Sequence, residues 1–478
     1  MNILFVYSYN IPVSQQKPLK TVGEMHFGIS YLSSYIKDKG HNTKLLVLSD
    51  FFGKKNFKLI DKTIQEFKPE LVCFTSVTTE YPFILKIARH IKQNQSHIYL
   101  LIGGSHASLC PDKVIKDDFD AVCIGEGEQP LLELISQLEK EQTPSNILNL
   151  WIKNNSNIEV NTTRPYIHNL DNLPFPDREM WFKWVNESFE KNNFINVLLG
   201  RGCPFSCTYC SNHALKKLAS GTYVRFRSPE NIIQELNEIN KQFPVINILY
   251  LEVETITANI KWFNDFCSKL KEFNKSIDNK ISYRANLRII PNTDYDQIFK
   301  IMKEANFNHI NIGLESGSER VRKDILNRNY SNKDVINAVK IAKKYDIKVT
   351  FYNLIGLPGE TEEDFKQTIE INRICQPDNH FTSIFYPYPG TVLYEKCINE
   401  NLINHLDSNM ERLTPAINQP EFNKKLIQKH FIWFDYYVYK GFKPMHKILF
   451  SVFKNKIKTN PVTYNWGRKL SLFFSINS

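Results

Sequence analysis

Three cysteines, Cys203, Cys207 and Cys210, stand together in GRGCPFSCTYCSN at 200–212. Thiolates are soft ligands suited to iron, and three of them leave one iron of a four-iron cluster open to another ligand. The competing assignment is zinc. A four-coordinate structural zinc site wants a fourth Cys or His at short spacing, and His213 is the only nearby candidate. The other six cysteines are scattered at 73, 110, 123, 267, 375 and 397. Most of these lie in apolar runs such as 71–74 and 121–124, where free Cys packs as a small hydrophobe. Nine cysteines so dispersed do not make a secreted disulfide framework.

The cysteine run follows directly on an apolar stretch at 195–199, which places it in a loop at a strand's carboxyl end. From there the pattern predicts strands near 246–252, 281–285, 309–314, 347–355 and 381–385. Helices are expected at 229–242, 259–274, 294–305, 332–345 and 361–373. Six βα units suit a partial barrel with its chemistry at the carboxyl ends of the strands. Upstream, strands at 3–7, 43–48, 71–75, 98–102 and 121–124 alternate with helices at 27–39, 57–67, 81–94 and 129–140. That alternation predicts a Rossmann-like parallel sheet with helices on both faces. Its strand ends carry Thr75-Ser76, Gly103-Gly104-Ser105-His106 and Gly125-Glu126-Gly127-Glu128. Ligands of such sheets bind at those ends, and glycine lets backbone approach them closely.

The expected organisation is therefore α/β throughout: a first domain at 1–140, an Asn- and Pro-bearing linker at 141–190, a (β/α)6 partial barrel at 191–400 and a helical tail at 401–478. The formal charge of +10 is unevenly spread, because residues 421–478 hold eleven Lys or Arg against Glu421 and Asp435. A chain otherwise nearly neutral argues against a nucleic-acid-binding protein and points to a localised basic, aromatic-rich tail. That tail reads either as a helical cap with solvated lysines or as an interfacial segment touching anionic lipid or a lipid-linked substrate. No run reaches the ~18 apolar residues of a membrane span, and no cleavable leader is evident at MNILFVYSY, which predicts a cytoplasmic protein.

CxxxCxxC after the first barrel strand, with Tyr209 at the aromatic position, resembles the radical S-adenosylmethionine (SAM) superfamily. GLESGSERV at 313–321, IGLPGETEEDF at 355–365 and YPYPGT at 386–391 resemble its later motifs. FGISYLSSYIKDKGH, IGGSHASLCP and IGEGE resemble the branch in which a cobalamin-binding domain precedes the barrel, the branch of methyltransferases and of the anaerobic tetrapyrrole cyclase. The resemblance covers roughly residues 1–400. It implies a [4Fe–4S] cluster on Cys203, Cys207 and Cys210, SAM chelating the open iron, and a low-potential donor of the flavodoxin or ferredoxin type. It also implies SAM contacts at Tyr209, Glu252, Glu254, Glu315, Ser316, Gly356 and Gly359. Glu252 and Glu254, two apart on a strand, face one side, and they read equally as charge partners of Arg284 or Arg288. Thr361 with Asp364 also reads as a helix cap.

Cobalamin contacts are expected at Thr75, Ser76, Gly103, Gly104, His106, Gly125, Glu126 and Gly127. The first domain lacks the Asp-x-His-x-x-Gly motif that supplies a lower histidine ligand, which suits binding without one. His106 reads equally as a loop histidine bonded to its surroundings. The implied reaction is methyl transfer to an unactivated carbon. Its rivals are a cyclisation or rearrangement without methyl transfer, and a non-catalytic cobalamin- or cluster-binding sensor. A methylthio-transferring enzyme is disfavoured because the first domain has no second cysteine triad.

Overall fold

The computed structural model describes residues 1–10, 12–154, 157–185, 194–403 and 406–464. The chain divides into two units. One comprises Met1–Asn196 with Gly200–Gly202 and Ser211–Ser228, and the other Val197–Leu199, Cys203–Cys210 and the chain from Pro229 onward.

In the first unit, β1 (Asn2–Ser8), β2 (Asn42–Leu48), β3 (Leu71–Thr75), β4 (Tyr99–Gly103) and β5 (Ala121–Cys123) lie in the order β2-β1-β3-β4-β5, all parallel. Ile3, Leu4, Phe5 and Val6 are all buried, as strands covered on both faces require. The connections carry α1 (Phe27–Lys37), α2 (Lys55–Phe67), α3 (Tyr81–Asn94), the short α4 (Ser105–Leu109) and α5 (Pro111–Val114), and then α6 (Glu128–Glu139).

The stretch expected as a linker is instead part of this unit. β6 (Leu150–Asn154) pairs antiparallel with β5, and β7 (Asn157–Val160) antiparallel with β6. Leu150 and Ile152 are buried while Lys153 and Asn154 are half-buried, an alternation that the surrounding asparagines obscure. Further on, α7 (Glu179–Phe182) buries Trp181, whose indole N–H donates to Ser30 Oγ at 2.8 Å. Residues 186–193 of the expected linker and barrel start lie outside the described residues.

The second sheet begins with β8 (Phe194–Leu198). The chain then passes through β9 (Gly200–Arg201), α8 (Asn212–Leu215) and β10 (Arg225–Phe226), where β9 and β10 form a small antiparallel pair. There follow α9 (Pro229–Gln242), β11 (Ile248–Glu252), α10 (Ile260–Ser276), β12 (Ser282–Leu287), α11 (Tyr295–Glu304), β13 (Phe307–Glu315), α12 (Asn332–Lys344), β14 (Lys348–Ile355), α13 (Glu362–Cys375) and β15 (Asn379–Ile384). Strands lie in chain order, β8-β11-β12-β13-β14-β15, as expected of successive βα units in a partial barrel. Ser331 with Asp334 and Thr361 with Asp364 each form a reciprocal capping box that starts α12 and α13. Each satisfies backbone donors that the first helical turn leaves open.

α14 (Val392–Asn399) follows β15, and the tail beyond it is helical as expected, with α15 (Lys424–Tyr439) and α16 (Met445–Lys458), where α15 packs on α13 and β15. Residues 465–478 of that expectation lie outside the described residues. Among those described, no helix is long and apolar enough to cross a membrane.

Candidate functional site

The loop after β8 carries Cys203 and Cys210 half-buried and Cys207 buried, all three outside any disulfide. Burial pushes the Cys203 thiol up to about 11, and Glu254 and the other two thiols add to the shift. Ionised sulfur here calls for positive charge nearby, and two guanidinium groups supply it. Arg288 donates to Cys207 Sγ at 2.7 Å while lying 3.8 Å over the Phe205 ring. Arg328 reaches the same sulfur at 3.9 Å, donates to the Tyr209 hydroxyl at 3.0 Å and to the Gly313 carbonyl at 2.6 Å, and pairs with Glu315 at 3.4 Å. Burial alone would discharge Arg328, but Tyr330, Tyr209, Glu315 and Cys207 around it hold its proton firmly.

Among the described residues no three His, Cys, Asp or Glu side chains come together tightly enough to hold one metal ion. A cluster places each thiolate on a different iron, and three cysteines on one loop with cations beside them suit that donor set.

Tyr209, Glu315 and Arg328 thus meet beside Cys207. Glu315 adopts φ +59° where the β13–β14 register slips. A left-handed non-glycine residue at a bulge re-aims a side chain at a cost in backbone strain. Ser316 is fully buried, and its hydroxyl accepts from the Ser318 amide at 3.2 Å; its place is inside the fold behind Glu315. Glu252 is the last residue of β11 and Glu254 lies in the bend beyond it, on either side of the buried Val253. Glu254 lies near enough to Cys203 to act on its thiol, whereas Arg288 is turned to Cys207.

Gly356 and Gly359 have φ of +81° and +85°, and a Cβ on Gly356 would press on Ile427 at 3.0 Å. The Gly356 and Leu357 amides donate to the Glu360 carboxylate at 2.6 and 3.1 Å. Full burial raises that carboxyl to about 8. Asp364 serves the cap and also accepts from Ser318 and Arg320.

In the first unit the strand ends form a tight cradle. A Cβ on Gly104, at φ +92°, would stand 2.7 Å from the Ser76 carbonyl and from Thr75 Oγ1. Gly103 faces Cys123, Gly125 takes φ +79°, and Gly127 lies against Leu32. The Ser8, Ser49 and Ser76 hydroxyls, each at or just past a strand end, are buried without a hydrogen-bond partner. Orphaned buried hydroxyls beside glycine-lined backbone suit a bound polar group, and cobalamin fits there. His106 stacks on Tyr81 at 4.5 Å and bonds Thr78 Oγ1 through Nδ1 at 3.2 Å. Burial, with Lys113 adding, lowers it to about 4, so it is neutral. Glu126 has partners of its own, accepting from Arg201 and Arg225 at 2.9 Å and from the Ile167 amide at 2.8 Å, while Arg201 also pairs with Glu128.

Arg328 was not foreseen from sequence. In the polar run Leu326-Asn327-Arg328-Asn329 nothing distinguishes it from a surface arginine until the fold closes that run onto the end of β13.

Residues 197–371 match the radical SAM superfamily, and residues 21–135 match the B12 binding domain. A relative from Pyrococcus horikoshii, described as an uncharacterized methyltransferase, is 30% identical over 90% of both chains. The chain belongs to the radical SAM superfamily, in the branch with a B12-binding domain. It is accordingly an enzyme whose family uses a [4Fe–4S] cluster, SAM, cobalamin and a reductant. An anaerobic magnesium-protoporphyrin IX monomethyl ester cyclase of Cereibacter sphaeroides is 24% identical across 77% of this chain, which spans 59% of that cyclase. The fold is shared with the cobalamin-dependent SAM radical enzyme OxsB, solved with aqua-cobalamin and SAM bound (TM-score 0.71, 15% identity, 99% of this chain and 72% of that one). It is also shared with the radical SAM methyltransferase TsrM of Kitasatospora setae, solved with tryptophan and a SAM analogue (TM-score 0.65, 16% identity, 83% and 76%).

Glu360 gives this radical SAM enzyme a pH signature. Its carboxyl ionises near 4.5 when unfolded and near 8 when folded. Its contribution to stability is complete below about 4.5 and is lost as pH rises through about 8. Glu360→Gln keeps an oxygen for both amides and should flatten that part of the thermal-midpoint profile. Parallel profiles for the two proteins would contradict the buried, protonated carboxyl.

Proposed function

We propose that this radical SAM enzyme is a cobalamin-dependent methyltransferase acting at an unactivated carbon of a small-molecule or lipid-linked substrate. We place it in the cytoplasm, supplied by a low-potential donor of the flavodoxin or ferredoxin type. The observation that carries the reading is the pairing, on one chain, of the three-cysteine loop with the glycine cradle and its orphaned hydroxyls. The identity to the Pyrococcus relative over nine tenths of both chains supports methyl transfer in particular.

When bound, the cluster and SAM supply a 5′-deoxyadenosyl radical, and cobalamin supplies a methyl group drawn from a second SAM. In this reading Cys203, Cys207 and Cys210 hold the cluster, with Arg288 and Arg328 offsetting the negative charge of the thiolates. Tyr209, Glu252, Glu254 and Glu315 orient SAM's polar groups. Ser316 fixes the backbone behind Glu315, and Gly356 and Gly359 let the chain pass close to the adenine. Thr75, Ser76, Gly103, Gly104, Gly125 and Gly127 line the cobalamin cradle. Neutral His106 packs beside it, and Glu126 locks the loop through its arginines.

The substrate's place is the face of the second sheet turned away from its helices. Tyr352 and Phe381, cross-strand neighbours on β14 and β15, stack at 5.5 Å and are both exposed. Burial, with Glu252 and Glu315 adding, pushes the Tyr352 hydroxyl up. On the same side the Tyr250 hydroxyl donates to Asn286 and accepts from Asn311, at 2.5 and 2.8 Å. An aromatic wall beside amide and hydroxyl groups suits a ring compound bearing hydrogen-bonding substituents.

Purified without oxygen, the protein should carry about four irons and four sulfides. Joint replacement of Cys203, Cys207 and Cys210 by Ala should remove them, while Cys267→Ala, in the core, should not. A cluster surviving in the triple variant would overturn the assignment.

Given SAM, a strong reductant and a small-molecule extract, the enzyme should form 5′-deoxyadenosine and S-adenosylhomocysteine in near-equal amounts, and methyl label should reach product carbon. Deoxyadenosine without adenosylhomocysteine would assign a cyclase-like reaction instead, and neither product would assign a sensor.

A further inference from the structure

Among the described residues, helix α16 packs on the protein through one face. Ile448 and Val452 are buried, and Ser451 and Asn455 on the same side donate to Asp435 of α15 at 2.7 and 3.3 Å. At 100° per residue, Met445, Leu449 and Phe453 form a second stripe, with Phe442 and Phe450 beside it. All five are exposed, Phe450 and Phe453 each by 59%. A third face carries Lys443, Lys447, Lys454 and Lys458, with Lys440 and Lys456 near either end. The Lys443 ammonium lies 3.3 Å over the Tyr439 ring and that of Lys454 4.4 Å over the Phe450 ring, so these cations rest on aromatic faces at the edge of the stripe.

From residue 436 to 464 there are six lysines and no Asp or Glu. The Asp435 carboxylate is taken up by His380, Ser451 and Asn455. Asp435 also fixes which way α16 is turned, so the outward aromatic stripe is set by specific bonds. Asp435 and Asp378 lie close enough to act on Lys443, but a protein partner of ordinary composition has no need of six lysines in a segment without acids around such a stripe. An anionic bilayer meets both features at once, since aromatic and aliphatic side chains enter the headgroup boundary while lysines pair with lipid phosphates.

We propose that the α16 face is a peripheral docking surface for an anionic membrane, independent of which reaction the enzyme performs. Nothing in it spans the bilayer. Contact is reversible and salt-dependent.

The test is co-sedimentation of the full-length protein with vesicles of phosphatidylcholine with and without phosphatidylglycerol. Binding should require the anionic lipid and fall as salt rises. Phe450→Asp with Phe453→Asp should abolish it. Lys447, Lys454 and Lys458 changed together to Ala should weaken it about a hundredfold, at roughly fivefold per lysine. The variants should keep the cobalamin absorption spectrum and melting profile of the parent, which separates loss of docking from misfolding. Three results would each overturn the proposal: no binding to anionic vesicles, equal binding to neutral ones, or undiminished binding by the double Phe variant. A dimer in solution that the double Phe variant splits, without vesicle binding, would assign the face to a second copy of the chain instead.

Discussion

The 2.7 Å contact from the Arg288 guanidinium to the Cys207 sulfur is the interaction on which the proposed site turns. Thiolates gathered in a half-buried loop repel one another and resist ionising, as the raised Cys203 thiol shows. Positive charge fixed beside them eases that ionisation and makes them better ligands. Arg288 follows the last residue of β12 and Arg328 follows the turn beyond β13. Two successive βα units therefore deliver the two cations to the loop that the first strand of the sheet delivers. Parallel strands make this convergence possible, because β11 to β15 all end on the same edge.

Arg328 joins that charge balance to Tyr209 and Glu315. Its bonds reach Cys207, Tyr209, Glu315 and the Gly313 carbonyl. The slip in β13 and the left-handed Glu315 are stable because a buried, charged guanidinium holds the carboxylate from the other side. In the first unit a comparable arrangement holds the loop after β5. Arg201, only two residues before Cys203, and Arg225 both bind Glu126, and Arg201 also binds Glu128.

Most elements were legible in the sequence because apolar periodicity and burial coincide. Strand and helix bounds of the alternating regions moved by at most two residues. The cysteine spacing, the glycines at strand ends and the Thr361–Asp364 cap were legible for the same reason, since each is a local requirement written into adjacent residues. What escaped was long-range. The β6–β7 hairpin depends on pairing with β5 and sits in an asparagine-rich stretch that imitates a linker. The bond of Arg328 to Tyr209 spans 119 positions, and the arginines that occupy Glu126 lie 75 and 99 positions from it. The turning of Arg288 toward sulfur rather than toward Glu252 or Glu254 is a choice among partners that sequence cannot rank. Ser316, adjacent to Glu315, looked like its companion, but one step along the chain takes the side chain from the site into the core.

The central claim is that Cys203, Cys207 and Cys210 bind a cluster with one iron left open for SAM. Electron paramagnetic resonance of the reduced, anaerobic protein tests it directly, using SAM labelled with ¹⁵N at the amino group and ¹⁷O at the carboxylate. The account predicts a shifted cluster signal on adding SAM, with hyperfine coupling to both labels. A signal indifferent to SAM, or coupled instead to a histidine nitrogen of the protein, would contradict it.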